Sequence, residues 1–150
     1  MLKRFIQQFS KTTIPSIKIG DAFFLKNDRL EEICLPKIDP VLFGCYLGKN
    51  KNKEFHPSFN LLEILSDFTN EKIIVNDRGE IDFLYGKHLR KRHVISIKGS
   101  QKKNKLKLVQ NQLDENLGYG LFIGISKDRA QILKHIIDRG VFIKRDKQQK

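Results

Sequence analysis

The 150 residues are 39% hydrophobic, and 29 lysines and arginines against 17 acidic side chains give a net charge of +12, a balance suited to polyanionic partners. No apolar run approaches the ~20 residues of a membrane span, and the opening MLKRFIQQF is too poor in apolar residues for a signal peptide, so a soluble protein that stays where it is made is expected. Cys34 and Cys45 have no histidine at zinc-ligand spacing and read as reduced, buried thiols.

The first element is an amphipathic helix over residues 2 to 9, with Leu2, Phe5, Ile6 and Phe9 at i, i+3, i+4 and i+7. Pro15 marks a loop, after which Ile17, Ile19 and then Phe23 to Leu25 read as strands ahead of an Asn27-Asp28 turn. Between the loop bracketed by Pro36 and Pro40 and the turn-like KNKNKEFHP, the run VLFGCYLGK reads as a buried strand. Asn60 and Glu63 have capping-box spacing and predict a helix over about 60 to 68, with Leu61, Leu65 and Phe68 on its apolar face. Ile73 to Val75, a turn at Asn76-Asp77-Arg78-Gly79, and alternating Ile81 and Phe83 read as a β-hairpin. The domain boundary is placed near 70, just before it. VISI, KLKLV and GYGLFIGI then suggest the short strands of a compact barrel, in which the glycines of GYGLFIG fit a bend or bulge. Ile132, Leu133, Ile136 and Ile137 predict a helix over 130 to 138, stopped by Gly140, and GVFIKRD is a closing strand. The expectation is thus an α+β protein: a small α/β domain over 1–70 and a β-barrel with short helices over 71–150.

Charge divides along the same line. Residues 1 to 82 hold 12 basic and 12 acidic side chains, whereas residues 83 to 150 hold 17 and 5. From Phe83 through Leu113 there are nine lysines and arginines and no acid. The densest cluster, Lys87 to His93, puts four fixed cations in six residues, which fits a phosphate clamp better than a solvated helix end because the charges repel unless an anion or distant acids relieve them. Phe83 reads as core, and Tyr85 divides evenly between packing and base stacking.

Catalytic and nucleotide motifs are weak by comparison. GCYLGKN departs from phosphate-loop spacing and lacks its hydroxyl, and GYGLFIG is followed by more strand. His56, His88, His93 and His135 show no metal spacing and read as surface or phosphate-facing groups; no nucleophile motif is visible. No catalytic residue, cofactor or metal ligand is therefore assigned.

The string FLYGKHL (Phe83 to Leu89), after IIVNDRGEID, resembles the opening of the PUA domain in the Nip-seven family of ribosome-biogenesis proteins. FFLKNDR, FGCYLGK and LLEIL resemble that family's pre-PUA domain, and GYGLFIG and GVFIKRD its later PUA segments, in the same order along most of the chain. The segment between Arg29 and Val41 departs from the family in being short and proline-rich. The resemblance implies a PUA fold that recognises RNA, a pre-PUA domain that meets other ribosome-assembly proteins, and work on large-subunit ribosomal RNA without catalysis. The rival reading is an RNA-modification enzyme or its RNA-targeting subunit; a ribosomal protein is a third. Expected RNA contacts are Tyr85, Lys87, Arg90, Lys91, Arg92, Lys127, Arg129, Lys134, Arg139, Lys144 and Arg145, on single-stranded pre-ribosomal RNA. No membrane role is expected. The location would be cytoplasmic in a prokaryote and nucleolar or nuclear in a eukaryote.

Overall fold

A computed structural model of the chain describes residues 1–26, 44–126 and 130–140, and elements are numbered within these. Residue contacts divide the chain into two units, Met1–Leu65 and Ser66–Lys150. Of the sequence expectations, Cys34, the Asn27-Asp28 turn, and GVFIKRD beyond Gly140 lie outside the described residues.

In the first unit, α1 spans Leu2–Ile6, shorter than predicted, yet Leu2, Phe5, Ile6 and Phe9 are all buried as their spacing requires. A four-stranded antiparallel sheet runs β1 (Ser16–Ile19), β2 (Ala22–Leu25), β3 (Tyr46–Lys51) and β4 (Glu54–Pro57) in sequential order. Phe55 on β4 holds its ring centroid 5.4 Å from that of Phe5 and 5.8 Å from that of Phe23. The KNKNKEFHP segment is therefore mostly strand, not turn. Only Asn52 and Lys53 leave the ladder, at φ +51° and +62°, the left-handed pair that matches the twist of a two-residue hairpin. Cys45, expected to be buried, is half-buried and reduced.

Helix α2 (Phe59–Phe68) starts one residue earlier than its predicted cap. Ser58 does the capping: its Oγ accepts from the Leu61 N–H at 3.2 Å and donates to the Tyr46 carbonyl at 2.6 Å. Asn60 is already helical, so its side chain cannot reach back to the free N–H groups. Leu61, Leu62 and Leu65 are fully buried, whereas Phe68 is exposed.

The second unit is a six-stranded, nearly closed sheet with short helices. Its elements are β5 (Lys72–Val75), α3 (Asp77–Leu84), β6 (Leu89–Arg90), a 3₁₀ turn (Lys91–His93), β7 (Val94–Ile97), β8 (Lys105–Gln110), β9 (Asn116–Phe122) and β10 (Gln131–Asp138). The strand order is β6-β10-β9-β8-β5-β7, antiparallel except for the β5–β8 pair. Ile73, Val75, Phe83, Leu89, Val109, Leu117, Phe122, Ile132 and Leu133 form its core. This mixed α+β barrel agrees with the expected fold class, but two predicted elements are corrected.

The hairpin over 73 to 83 is a strand followed by a helix. Asn76 caps α3, its Oδ1 accepting from the Gly79 N–H at 2.9 Å, and Asp77 and Glu80 place negative charge in the first turn. Asn-Asp-Arg-Gly is compatible with a turn or a cap, and the cap wins because the helix delivers Phe83 to the core. The predicted helix over 130 to 138 is strand β10. Its isoleucines suit both states, but pairing with β9 and β6 satisfies the backbone on both sides. Register shifts at Gln131/Leu133 and His135/Ile137 disturb the period-2 pattern that would have marked a strand.

The glycine reading of β9 agrees with the structure. At Gly118, φ +145°, a Cβ would sit 2.1 Å from the Ile137 carbonyl oxygen, so only glycine lets β9 and β10 approach there. On β8, Lys107 is fully buried: Nζ donates to Glu71 Oε2 at 2.7 Å and to the Lys98 carbonyl at 2.5 Å.

Candidate nucleic-acid interface

The site begins at the end of α3. Tyr85 closes the helix and Gly86 follows at φ +80°. The Gly86 N–H donates to the Phe83 carbonyl at 2.8 Å and the Lys87 N–H to the Asp82 carbonyl at 3.0 Å, the paired bonds of a Schellman stop. This reversal brings Lys87 Nζ within 3.0 Å of Asp82 Oδ1. Asp82 itself is only 5% exposed, and its Oδ2 lies 3.7 Å from Arg78 Nε and 3.4 Å from His93 Nε2.

The other wall is the turn Lys91–His93, fastened to α3 by its cap residue. Asn76 Nδ2 donates to the Arg92 carbonyl at 2.8 Å, and the Asn76 N–H to the His93 carbonyl at 3.0 Å. His93 Nδ1 accepts from the Arg90 N–H at 3.3 Å, and Nε2 lies 3.3 Å from Arg92 Nε and 3.4 Å from Asp82 Oδ2. The hydrogen bond from Lys87, aided by the charges of Lys87, Arg78 and His93, holds the Asp82 carboxyl below the usual range despite its burial. Burial pushes the His93 imidazole down, against the pull of Asp82 and with the help of Arg92 and Arg90. The pair is therefore carboxylate and neutral imidazole at pH 7.

Around this buried pair opens a cleft of about 510 Å³ lined by Arg78, Lys87, His88, Arg90, Arg92 and Gln131, among others. Four side-chain cations thus face one acid that is already engaged. His93, expected at the surface, is buried and shapes the cleft from beneath.

Of the residues predicted to touch RNA, Lys87, Arg90 and Arg92 come together here. Lys91 turns away, its Nζ donating to the Ser126 carbonyl. Tyr85 is exposed at the end of α3, whereas Phe83 is core, its ring 4.9 Å from that of His135. Lys134 is exposed on β10, and Arg139 is exposed just beyond it with its N–H on the Leu117 carbonyl. Lys127, Arg129, Lys144 and Arg145 lie outside the described residues. Arg78 and Gln131 were missed. Arg78 reaches Asp82 only across one helical turn, and Gln131 enters through its pairing with Arg90 on β6.

Residues 71–147, which hold β5, the capped helix ending in FLYG and the strands through β10, match the UPF0113 PUA domain model. The chain belongs to the UPF0113 PUA domain family. The PUA domain is an RNA-binding fold, and the cationic cleft lies within the matched residues. Solved structures share the fold. A conserved PUA domain protein from Thermoplasma acidophilum aligns over 97% of this chain and 91% of its own, at 13% identity and TM-score 0.60. A hypothetical protein from Pyrococcus horikoshii OT3 aligns over 85% of this chain and 75% of its own, at 12% identity and TM-score 0.52. A PUA domain from Aeropyrum pernix K1, solved as a tartrate complex, aligns over 61% of this chain at 14% identity and TM-score 0.51, and the alignment spans 56% of that protein. No curated protein matches the chain. Among the described residues no helix is long and apolar enough to cross a membrane, and no three His, Cys, Asp or Glu side chains group as metal ligands.

Proposed function

We propose that this PUA protein is a non-catalytic ribosome-biogenesis factor that binds single-stranded segments of large-subunit precursor RNA through the α3 cleft. The observation that carries the reading is the convergence of Arg78, Lys87, Arg90 and Arg92 on one cleft whose acid, Asp82, is buried and shared. Counting lysine and arginine alone, the four cations less one carboxylate leave a formal charge of +3, which favours phosphate entry. The arginine planes offer paired donors to phosphate oxygens, and such contacts set position without reading sequence. Exposed Tyr85 supplies a face on which an unpaired base can stack.

The resemblance of FLYGKHL and its flanking segments to the Nip-seven family supports the ribosomal assignment, and the same resemblance gives residues 1–70 to other assembly proteins. Among the described residues the lining of the cleft includes no serine, threonine or cysteine, so its buried Asp82–His93 pair faces no hydroxyl or thiol there to activate. The location follows that of ribosome assembly: cytoplasm in a prokaryote, nucleolus or nucleus in a eukaryote. Crosslinking the full chain to RNA in cell extract and sequencing the fragments tests the reading. Enrichment of large-subunit precursor RNA that is lost in an Arg90→Gln, Arg92→Gln variant supports it. A spread of messenger or transfer RNA fragments unaffected by those changes refutes it.

A further inference from the structure

A second depression lies on the Lys91 side of the 3₁₀ turn. It measures about 310 Å³ and is lined chiefly by Lys91, Val94, Ile95, Ile97, Ile125 and Ile132. Ile95 and Ile125 are 53% and 55% exposed, so a large aliphatic surface meets solvent. One border is β7, the terminal strand of its sheet, which among the described residues pairs with β5 alone. Sheet edges are ordinarily guarded by charge or proline, and β7, VISI, carries neither.

The surroundings say what would fit. The described residues that line the groove include no aromatic or arginine side chain, so they offer nucleic-acid bases no plane to stack on. An extended peptide, by contrast, can pair with a free strand edge and seat alternate side chains on the aliphatic floor. Nor do the described residues that line the groove include an acidic side chain. The chain leaving β7 carries exposed Lys98, Lys102, Lys103 and Lys105, none of them in an ion pair among the described residues. Glu71, the acid that reaches this loop, is taken up by Lys107 Nζ and the Ser100 N–H.

We infer that the β7 edge receives an extended acidic segment of a partner protein. The segment adds to β7 as a strand, rests β-branched side chains on Ile95, Ile97 and Ile125, and meets the 98–105 lysines with its carboxylates. This surface is separate from the cation cleft and does not depend on what the cleft binds.

The test titrates the full chain with a capped, fluorescent peptide of alternating valine and glutamate, read by anisotropy and amide hydrogen exchange. Slowed exchange at residues 94–97 is expected, together with at least a tenfold rise in Kd for Ile95→Glu and for a peptide carrying lysine in place of glutamate. Ile125→Ser, at a second exposed position, weakens the peptide in the same direction, and both variants keep wild-type RNA affinity. Absence of protection at about 1 mM peptide overturns the inference, as does equal binding of the lysine peptide. Loss of RNA affinity in Ile95→Glu would give the groove to nucleic acid. Self-association abolished by Ile95→Glu would give it to a second copy, and protection of 94–97 lost on deleting residues 141–150 would give it to the chain's own end.

Discussion

Neutralising the cleft should change how RNA affinity responds to salt, not merely lower it. Each phosphate contact on a single strand contributes about −0.7 to the slope of log affinity against log salt, so four cleft cations account for roughly −2.8. Between 50 and 200 mM salt that alone weakens binding about 50-fold. The variant Arg78→Gln, Arg90→Gln, Arg92→Gln leaves Lys87 and should make the slope shallower by about 2, reducing the cleft's share of the salt effect to about threefold. Arg78 is 69% exposed at its side chain and Asp82 keeps its hydrogen bond from Lys87, so the fold should survive, as circular dichroism would verify. The matched control is Lys98→Gln, Lys102→Gln, Lys103→Gln, which removes the same net charge away from the cleft. Fluorescence titrations on a labelled oligouridylate across the salt range separate the two. Equal slope changes in both variants would mean that net charge alone drives binding, and an unchanged slope in the cleft variant would refute the site.

Gly79→Ala should destabilise the protein by about 1–3 kcal/mol in a denaturant titration and weaken RNA binding with it, because the new Cβ would meet the His93 carbonyl oxygen at 2.8 Å and push the 3₁₀ turn off α3. Lys107→Ala should cost about 3 kcal/mol by stranding Glu71, yet leave the salt slope of RNA binding unchanged, since this lysine is buried. Because the folded His93 imidazole is held low, its contribution to stability is complete above the unfolded value of about 6.5 and is lost as pH falls from there toward the folded value. His93→Gln, which keeps an acceptor for the Arg90 N–H but has no titrating ring, should flatten the loss of melting temperature in that window. Asp82 acts with the same sign at lower pH: its contribution is present above about 3.9 and disappears as pH falls through the depressed folded value. Tyr85→Leu should leave the salt slope unaltered and weaken binding by an amount that differs between oligouridylate and oligoadenylate if the ring stacks on bases; equal losses would remove stacking from the mechanism.

Much of this architecture is local enough to be read from the chain. The α1 face and the barrel glycines each depend on residues within a few positions of one another, and Lys87, Arg90 and Arg92 were legible as a cluster; the helix stop at FLYG is as local but was hidden by reading 73 to 83 as a hairpin. What escaped depends on pairing across the sequence. β10 looks helical until β9 and β6 are placed beside it, and Gln131 enters the site only through Arg90. Arg78 and Asp82 were hidden because a hairpin would have left Arg78 in its turn and Asp82 on its return strand, whereas a helix sets them one turn apart on one face. Lys107 shows the limit of counting charge: one of the nine cations in the acid-free stretch faces inward, where it holds Glu71.

The fastening of the 3₁₀ turn by Asn76 bears on how the protein acquires its activity. From the Asn76 side chain to the Arg92 carbonyl is a separation of 16 residues, and, Gln131 aside, the named walls of the cleft fall between Arg78 and His93. Closing so short a loop costs little chain entropy, whereas the parallel β5–β8 pair and the β6–β10 pair must close longer ones. Contacts of low sequence separation form early. Arg90 on β6 and Gln131, however, take their places only when β10 pairs with β6, so Asn76 fixes the α3-to-turn half of the cleft and the barrel fixes the rest.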